Sequence, residues 1–397
     1  MAQSSAEQIR AWQGPALFSF GFRPFFLFGA VWVVLAMLMW ILALNGAVDL
    51  PTHFDPVSWH AHEFLFGYLG AVLAGFLLTA VPNWTGRLPM VGWKLAALFA
   101  LWCAGRIAIL TSAFLPVVVT AGIDLAFPIV LGALILQEIV AGRNWRNLIV
   151  LALLAVFATA NLIFHIEASN DLYAAEGYGL RLGLATAIMM IGVIGGRIIP
   201  SFTRNWLARN NDPARPAPPM QRFDKITLAA SAVILALWVA LPFHLITGGA
   251  LIMFGVLHVV RLIRWQGHHT LREPLVWVLH IAYAFIPLGA LVMGTDTLLG
   301  GAGQIAAQHI WMAGAIGAMT LAVMTRATLG HTGQALLANR ATVAVYFCLF
   351  ASVAARWLST SMPQFTTISG LLWIAAFGGF ALAYGPALLR MKPGKSL

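Results

Sequence analysis

Charged residues are scarce in this chain. Lys, Arg, Asp and Glu together make up 9% of the 397 residues, whereas a soluble domain usually contains about 25%. This shortage excludes an ordinary soluble globule and a disordered chain. Basic residues outnumber acidic ones by 23 to 13, but they form no long run, which argues against a nucleic-acid-binding protein. An integral membrane protein is the class that remains.

Cysteine and targeting signals are also nearly absent. The two cysteines, Cys103 and Cys348, each lie in an apolar run without a second thiol nearby, which argues against a disulfide framework or a thiolate metal site. The start of the chain contains Glu7 and Arg10 and no apolar core followed by a cleavage site. We therefore expect no signal peptide and a cytoplasmic N-terminus.

Hydrophobic residues make up 60% of the chain and are gathered into runs that match the roughly 20 apolar residues needed to cross a bilayer. The runs lack the alternation of membrane β-strands, so we predict an all-α polytopic protein with one integral membrane domain over residues 1–397. Twelve transmembrane helices are predicted, at residues 25–45, 57–81, 92–113, 116–139, 147–166, 178–200, 225–245, 247–265, 274–294, 302–325, 341–360 and 368–390.

Loop charges support this count and indicate an orientation. The loops that follow even-numbered helices are basic, whereas those that follow odd-numbered helices carry acidic residues and almost no Lys or Arg. Since cytoplasmic loops carry an excess of positive charge, we expect both termini to lie in the cytoplasm.

Helices 2, 6 and 10 end in similar sequences: LLTAVPNWTG, IGGRIIPSFTRN and LAVMTRATLGHTG. Aligning these helices pairs Arg197 with Arg326, and His62 with His309. Since the matched helices are four apart, we predict a four-helix unit used three times, at about 18–143, 144–270 and 271–397; chance similarity is the alternative. Twelve helices about a pseudo-threefold axis would resemble the arrangement of the heme-copper oxidases, as an analogy of architecture.

Ionisable residues within the predicted helices concentrate in the outer third of the membrane. At 1.5 Å per helical residue, His62 and Arg106 both lie roughly 21–22 Å above the inner boundary. The segment WHAHEFLFG (59–67) is the densest. His60 and His62 point about 200° apart on a helix, which argues against one ion that binds both. Glu63, three residues from His60, suits a proton donor beside a ligand.

This polar layer predicts a metal site, because imidazole binds copper, iron and zinc and charged groups inside a membrane are usually functional. His62 and His309 could form the axial pair of a heme iron, with Arg106 and Arg356 neutralising the heme propionates. The alternative is that the histidines only cap helix ends at the outer interface.

A second group lies toward the cytoplasmic side. Arg197 and Arg326 end their helices where positive anchors are expected, and we also count them as candidates for cofactor binding. His280 lies inside helix 9 with Tyr283 nearly on the same face. A buried neutral histidine and a metal ligand are both open interpretations of His280, and His331 is a further candidate ligand.

Four segments resemble the NnrS family: FSFGFRPFFLFGA (18–30), WHAHEFLFGYLGAVLAGFLLTAVPNWTGR (59–87), GGRIIPSFTRN (195–205) and MTRATLGHTG (324–333). The resemblance covers the whole length, and its second segment is the most specific. It implies a multi-pass protein of the bacterial inner membrane that contains heme b and copper. It also implies a link to nitric oxide metabolism, in nitrosative-stress defence or denitrification.

Three functions remain open from the sequence. The first is a nitric oxide reductase-like oxidoreductase, supplied with electrons by a quinol or a periplasmic cytochrome. The second is a non-catalytic protein that binds nitric oxide or maintains metals, and the third is a small-solute transporter. Glu63 and Tyr283 are the candidate catalytic residues. The candidate metal ligands are His60, His62, His280, His309 and His331, and the candidate cofactor-binding residues are His62, His309, Arg106, Arg356, Arg197 and Arg326.

Overall fold

The computed structural model describes residues 12–301 and 303–391, and all regular secondary structure in these residues is helical. Among them, twelve helices are long and apolar enough to cross a membrane, which confirms the predicted fold class. We number them α1 to α12 in chain order: Phe22–Leu44, Pro56–Thr85, Trp93–Leu110, Val117–Ala141, Trp145–Ser169, Tyr178–Arg209, Arg222–Ala240, Leu245–Ile263, Pro274–Leu298, Gln304–Thr332, Arg340–Leu358 and Phe365–Leu389. Residues 1–11 and 392–397, for which we predict a cytoplasmic location, lie outside the described residues.

Helices α2, α6 and α10 run further than the hydropathy predicts. They end at Thr85, Arg209 and Thr332, several residues beyond the predicted ends. Hydropathy marks only the apolar part of a helix, and a helix can continue with polar residues because its backbone hydrogen bonds remain internal. Pro82 and Pro200 lie inside α2 and α6 without ending them.

Polar residues and glycine define the two ends of α2. Asp55 Oδ1 accepts hydrogen bonds from the backbone N–H groups of Val57 at 3.0 Å and Ser58 at 2.9 Å. Pro56 follows in the first turn, where its missing N–H is tolerated. At the other end Gly86 has a left-handed φ of 70°, a conformation that glycine adopts without strain.

The described chain forms two compact units. The first contains residues 12–183, 327–335 and 377–391, and in it α2 packs against α1 and α4, while α4 also packs against α3 and α5. The second contains residues 184–301, 303–326 and 336–376, and in it α8 packs against α7 and α9, while α10 packs against α9 and α11. The predicted division into three four-helix units is a different one and stays a prediction.

Helices α2, α6 and α10 share an irregularity. Each contains a π-helical segment, at Glu63–Tyr68, Ile191–Gly195 and Ile310–Gly317. They are also the three longest of the twelve, with 30, 32 and 29 residues. Because π-helical turns occur frequently at functional sites, these segments direct attention to the side chains beside them.

Candidate metal centre

A cluster of polar side chains lies within the first unit, beside the π-helical segment of α2. His62 and Glu63 have no exposed surface, and their partners on α3, α4 and α5 are also buried. The cluster consists of Trp32 of α1, His62 and Glu63 of α2, Arg106 of α3, Asp124 of α4, and Asn161 and His165 of α5.

Asp124 is at the centre of the cluster. Its Oδ2 atom lies 3.1 Å from His165 Nε2 and 3.3 Å from His62 Nε2. The same oxygen accepts a hydrogen bond from Asn161 Nδ2 at 2.7 Å, while Oδ1 accepts one from Arg106 Nη2. One carboxylate therefore brings two imidazoles together and is itself oriented by an amide and a guanidinium.

Both nitrogens of His62 face protein groups. Nδ1 lies 3.1 Å from Glu63 Oε1, and Nε2 lies 2.9 Å from Asn161 Oδ1. Both contacts are with acceptor oxygens, because Asn161 already donates through Nδ2 to Asp124, so the geometry suits an imidazole that is protonated on both nitrogens. A metal ion bound by His62 and Asp124 would replace the proton on Nε2, while Nδ1 would keep its hydrogen bond to Glu63. This is the arrangement in which a carboxylate commonly orients a metal-binding histidine.

The charges of the cluster do not cancel when its histidines are neutral. Arg106 Nη1 donates to Glu63 Oε1 at 2.5 Å, and Trp32 Nε1 donates to Glu63 Oε2 at 2.7 Å. One guanidinium thus faces the two carboxylates of Glu63 and Asp124. A buried, unbalanced negative charge is costly, so the cluster favours an added positive charge, either a proton on an imidazole or a metal cation.

Two glycines allow the close approach of these helices. A Cβ atom on Gly67 would lie 3.0 Å from Glu63 Oε2 and closer still to the Arg106 guanidinium, and a Cβ on Gly105 would lie 3.2 Å from Asp124 Oδ1. Gly67 belongs to the π-helical segment, and its carbonyl accepts a hydrogen bond from Trp102 Nε1 at 3.0 Å. Small residues at these positions let the charged side chains occupy the space between α2, α3 and α4.

The cluster fits a metal ion. His62, Asp124 and His165 each offer one ligand atom, and these atoms all lie within 4.8 Å of one another. Two imidazoles and a carboxylate suit iron, copper or zinc. His165 Nδ1 is buried and has no hydrogen-bond partner in the described part of the chain, so the ring is held by Asp124 alone on its Nε2 side.

The same surroundings do not fit a heme at His62. A heme bound through His62 would need space for a whole porphyrin beside the imidazole ring, whereas a single ion needs space only at Nε2, next to Asn161 and Asp124. Three phenylalanine rings, those of Phe54, Phe66 and Phe164, also lie with their centroids 5.4–5.5 Å from the His62 ring. The geometry therefore favours the predicted metal role of His62 over its predicted heme role.

His309 has a geometry that suits an iron ligand. It belongs to the second unit, at the start of α10. Its Nδ1 atom lies 2.8 Å from the carbonyl oxygen of Ile305, which fixes the tautomer in which Nε2 carries the lone pair. Arg356 lies within electrostatic range of His309, and its Nη1 donates to Ser359 Oγ at 2.6 Å. These contacts leave the predicted heme role of His309 and Arg356 compatible with the structure.

The remaining sequence-predicted residues have contacts with residues outside the cluster. The His60 ring stacks on Trp40 with centroids 4.6 Å apart, as expected if His60 and His62 serve different surroundings. The metal and cofactor roles predicted for His60, His280, His331, Arg197 and Arg326 stay predictions. His331 contacts the rings of Phe20 and Phe22, and His280 Nε2 lies 2.8 Å from Thr203 Oγ1. The Arg326 guanidinium lies 4.1 Å from the centre of the Phe202 ring. Arg197 is half-buried in α6.

Tyr283 belongs to a separate buried network in the second unit. Its hydroxyl lies 2.7 Å from His258 Nδ1 and accepts a hydrogen bond from Arg261 Nη1 at 2.9 Å. Arg261 Nε donates to Asp224 Oδ1 at 2.7 Å, and His258 Nε2 lies 2.9 Å from Ser231 Oγ. Tyr283 therefore contacts His258 and Arg261, while the predicted His280 has Thr203 as its partner.

The candidate residues predicted from the sequence do not include Asp124, Asn161 or His165. Asn161 and His165 are four residues apart in α5, so they share one helix face. That spacing is a signal that could have paired them. His165 comes shortly before Glu167 near the end of an apolar run. This position is equally typical of a histidine at the membrane surface, so the sequence alone did not mark His165 as a ligand.

These features define a polytopic helical membrane protein with a buried His–Asp–His group able to hold a metal ion. The family model described as "NnrS protein" matches residues 16–392, so the chain belongs to the NnrS family. This membership fits a membrane protein related to nitric oxide. A comparison with curated protein sequences finds no match.

Proposed function

We propose that the protein reduces nitric oxide at a metal centre formed by His62, Asp124 and His165. The observation that carries the proposal is a buried pair of imidazoles on one carboxylate, in a cluster with an excess of negative charge. The family membership supports nitric oxide as the substrate. The proposal places the protein in the bacterial inner membrane, with both termini in the cytoplasm and a quinol or a periplasmic cytochrome as electron donor.

Reduction joins two nitric oxide molecules to give nitrous oxide and water, and it consumes two electrons and two protons. A copper or iron ion would bind nitric oxide and transfer electrons to it. Heme b, implied by the family resemblance, would be held by His309, with Arg356 near its anionic groups. The chain itself supplies the ligands, the charge balance and a proton carrier.

Glu63 is the proposed proton carrier. Its Oε1 atom contacts both His62 Nδ1 and Arg106 Nη1, so a proton can move between the carboxylate and the imidazole without a rearrangement of the chain. Arg106 and Trp32 hold the carboxylate in place from two sides. Glu63 thereby both orients His62 and connects it to a titratable oxygen.

The first test measures metal content and nitric oxide consumption together. Purified His62→Ala and His165→Ala proteins are expected to lose the ion, about one per chain for this centre, because each loses one of three ligands. Elemental analysis and anaerobic consumption of nitric oxide with a chemical electron donor are the measurements.

His268→Ala is the matched control, since His268 lies in the short helical turn between α8 and α9, in the second unit, and is not a member of the cluster. Full metal content in both cluster variants would contradict the centre. Stoichiometric binding of nitric oxide without consumption would favour the non-catalytic alternative. The close packing of phenylalanine rings round His62 gives that alternative a structural basis, because a reductase must accommodate two substrate molecules.

The second test separates proton transfer from metal binding. Glu63→Gln is expected to keep the metal and to reduce nitric oxide consumption by about 10²-fold or more, the usual contribution of a general acid or base. Glutamine still offers an oxygen to Arg106 but cannot release a proton. Glu138→Gln serves as the control, because Glu138 pairs with Arg87 at the end of α4. Unchanged consumption in Glu63→Gln would remove Glu63 from the proton path.

A further inference from the structure

A cavity lies beside the metal centre in the first unit. Its polar end is formed by Arg106, Asp124 and Asn161, which are three members of the cluster. Its walls are apolar and include the buried rings of Phe66, Phe127 and Phe157. The enclosed space is small, with room for about one water-sized molecule, and it is partly open to the outside.

The open side of the cavity lies between α4 and α5. Pro128 of α4 and Ala158 of α5 line it and are half-buried, and the neighbouring residue Ile129 is 62% exposed. This surface belongs to two helices that cross the membrane, so it faces the apolar part of the bilayer. Pro128 also lacks an N–H for the carbonyl four residues earlier, that of Asp124, which loosens the helix at this point.

We propose that this cavity is the binding site and the passage by which a neutral diatomic gas, nitric oxide, reaches Asp124 from the bilayer. The inference rests on the proposed function. The enclosed part of the cavity has room for about one water-sized molecule, which admits a diatomic molecule and excludes larger solutes. An apolar lining favours a neutral gas over ions, and a gas that dissolves in the bilayer arrives at the open side without crossing water.

Gly70 offers a way to fill the cavity from within. A Cβ atom on Gly70 would meet only Phe127 Cε1, at 3.8 Å, so a side chain at this position extends into the empty space. Ala158 offers the same possibility at the open side. Ala155, one turn away on α5, is exposed and does not line the cavity, which makes it the matched control position.

The experiment compares Gly70→Leu and Ala158→Phe with Ala155→Phe in metal-loaded protein, and measures the association rate of nitric oxide by stopped-flow spectroscopy. The first two variants are expected to slow association by about tenfold or more, with metal content and spectrum unchanged, while Ala155→Phe leaves the rate unaltered. Gly70→Ala, a smaller change, keeps the test usable if Gly70→Leu does not fold.

Dioxygen, a diatomic gas similar in size to nitric oxide, gives a second readout that does not depend on the metal. Because dioxygen is paramagnetic, it is expected under pressure to speed the relaxation of the methyl signals of Leu131 and Leu154, which line the cavity, as followed by methyl NMR. The effect is expected in the native protein and in Ala155→Phe, but not in Gly70→Leu or Ala158→Phe. Equal association rates in all metal-loaded variants would overturn the passage and leave the metal centre intact. Protein without metal would overturn the proposed function, and the dioxygen result would then decide the cavity alone: no effect in the native protein would refute the cavity as a gas site.

Discussion

Arg106→Leu is expected to lower the free energy of unfolding of the metal-free protein by about 3–5 kcal/mol, the usual cost of removing one partner of a buried ion pair. Arg106 is the guanidinium that contacts both Glu63 and Asp124. Without it, the buried carboxylates of Glu63 and Asp124 keep only the imidazoles of His62 and His165 as partners that can carry positive charge in the described cluster. The measurement is unfolding of the purified protein in detergent, followed by helical circular dichroism in the presence of a chelator.

Added metal should then partly restore the free energy of unfolding of the Arg106→Leu protein, because a bound cation replaces the lost positive charge. The native protein should gain less from the same ion. Asp124→Asn is the control: it leaves Glu63 and Arg106 as a neutral pair, so we expect a smaller loss of stability and no response to metal. If Arg106→Leu were as stable as the native protein without metal, the charge imbalance assigned to the cluster would be incorrect.

The sequence predicted the helices well because a bilayer admits few alternatives. Each span needs a long apolar run with internal hydrogen bonds, and the sequence contains twelve such runs. The depth of each side chain in the membrane could also be predicted, since the position of a residue along a helix converts to a height above the inner boundary. His62 and Arg106 came out at one height, and in the structure both contact Glu63 Oε1.

Depth does not say which helix faces meet, and here the sequence was insufficient. Asp124 has no neighbour in α4 that marks it as the centre of a cluster, and its partners Asn161 and His165 belong to another helix. The π-helical segment after His62 also changes the angle between successive side chains. A regular helical wheel therefore cannot show that Glu63 faces Arg106 while His60 faces Trp40.

Asp224→Ala is expected to destabilise the second unit by about 3–5 kcal/mol. Asp224 and Arg261 form a fully buried ion pair, and the backbone N–H of Gln221 also donates to Asp224 Oδ2 at 3.1 Å. After the substitution Arg261 keeps the carbonyl of Gly192 at 2.8 Å and the hydroxyl of Tyr283, but no carboxylate in the described network balances its charge. Thermal unfolding in detergent and the yield of folded protein are the measurements.

Two further variants show whether the cost arises from the unpaired charge. The double variant Asp224→Leu with Arg261→Met removes both charges and should recover most of the stability, because an apolar pair of similar size often replaces a buried ion pair without loss. Tyr283→Phe removes only a neutral hydroxyl and should cost less, about 1–3 kcal/mol. If the double variant were as unstable as Asp224→Ala, packing and not charge would hold this network together. If Tyr283→Phe reduced nitric oxide consumption while its stability stayed near that of the native protein, the predicted catalytic role of Tyr283 would gain support over a structural one.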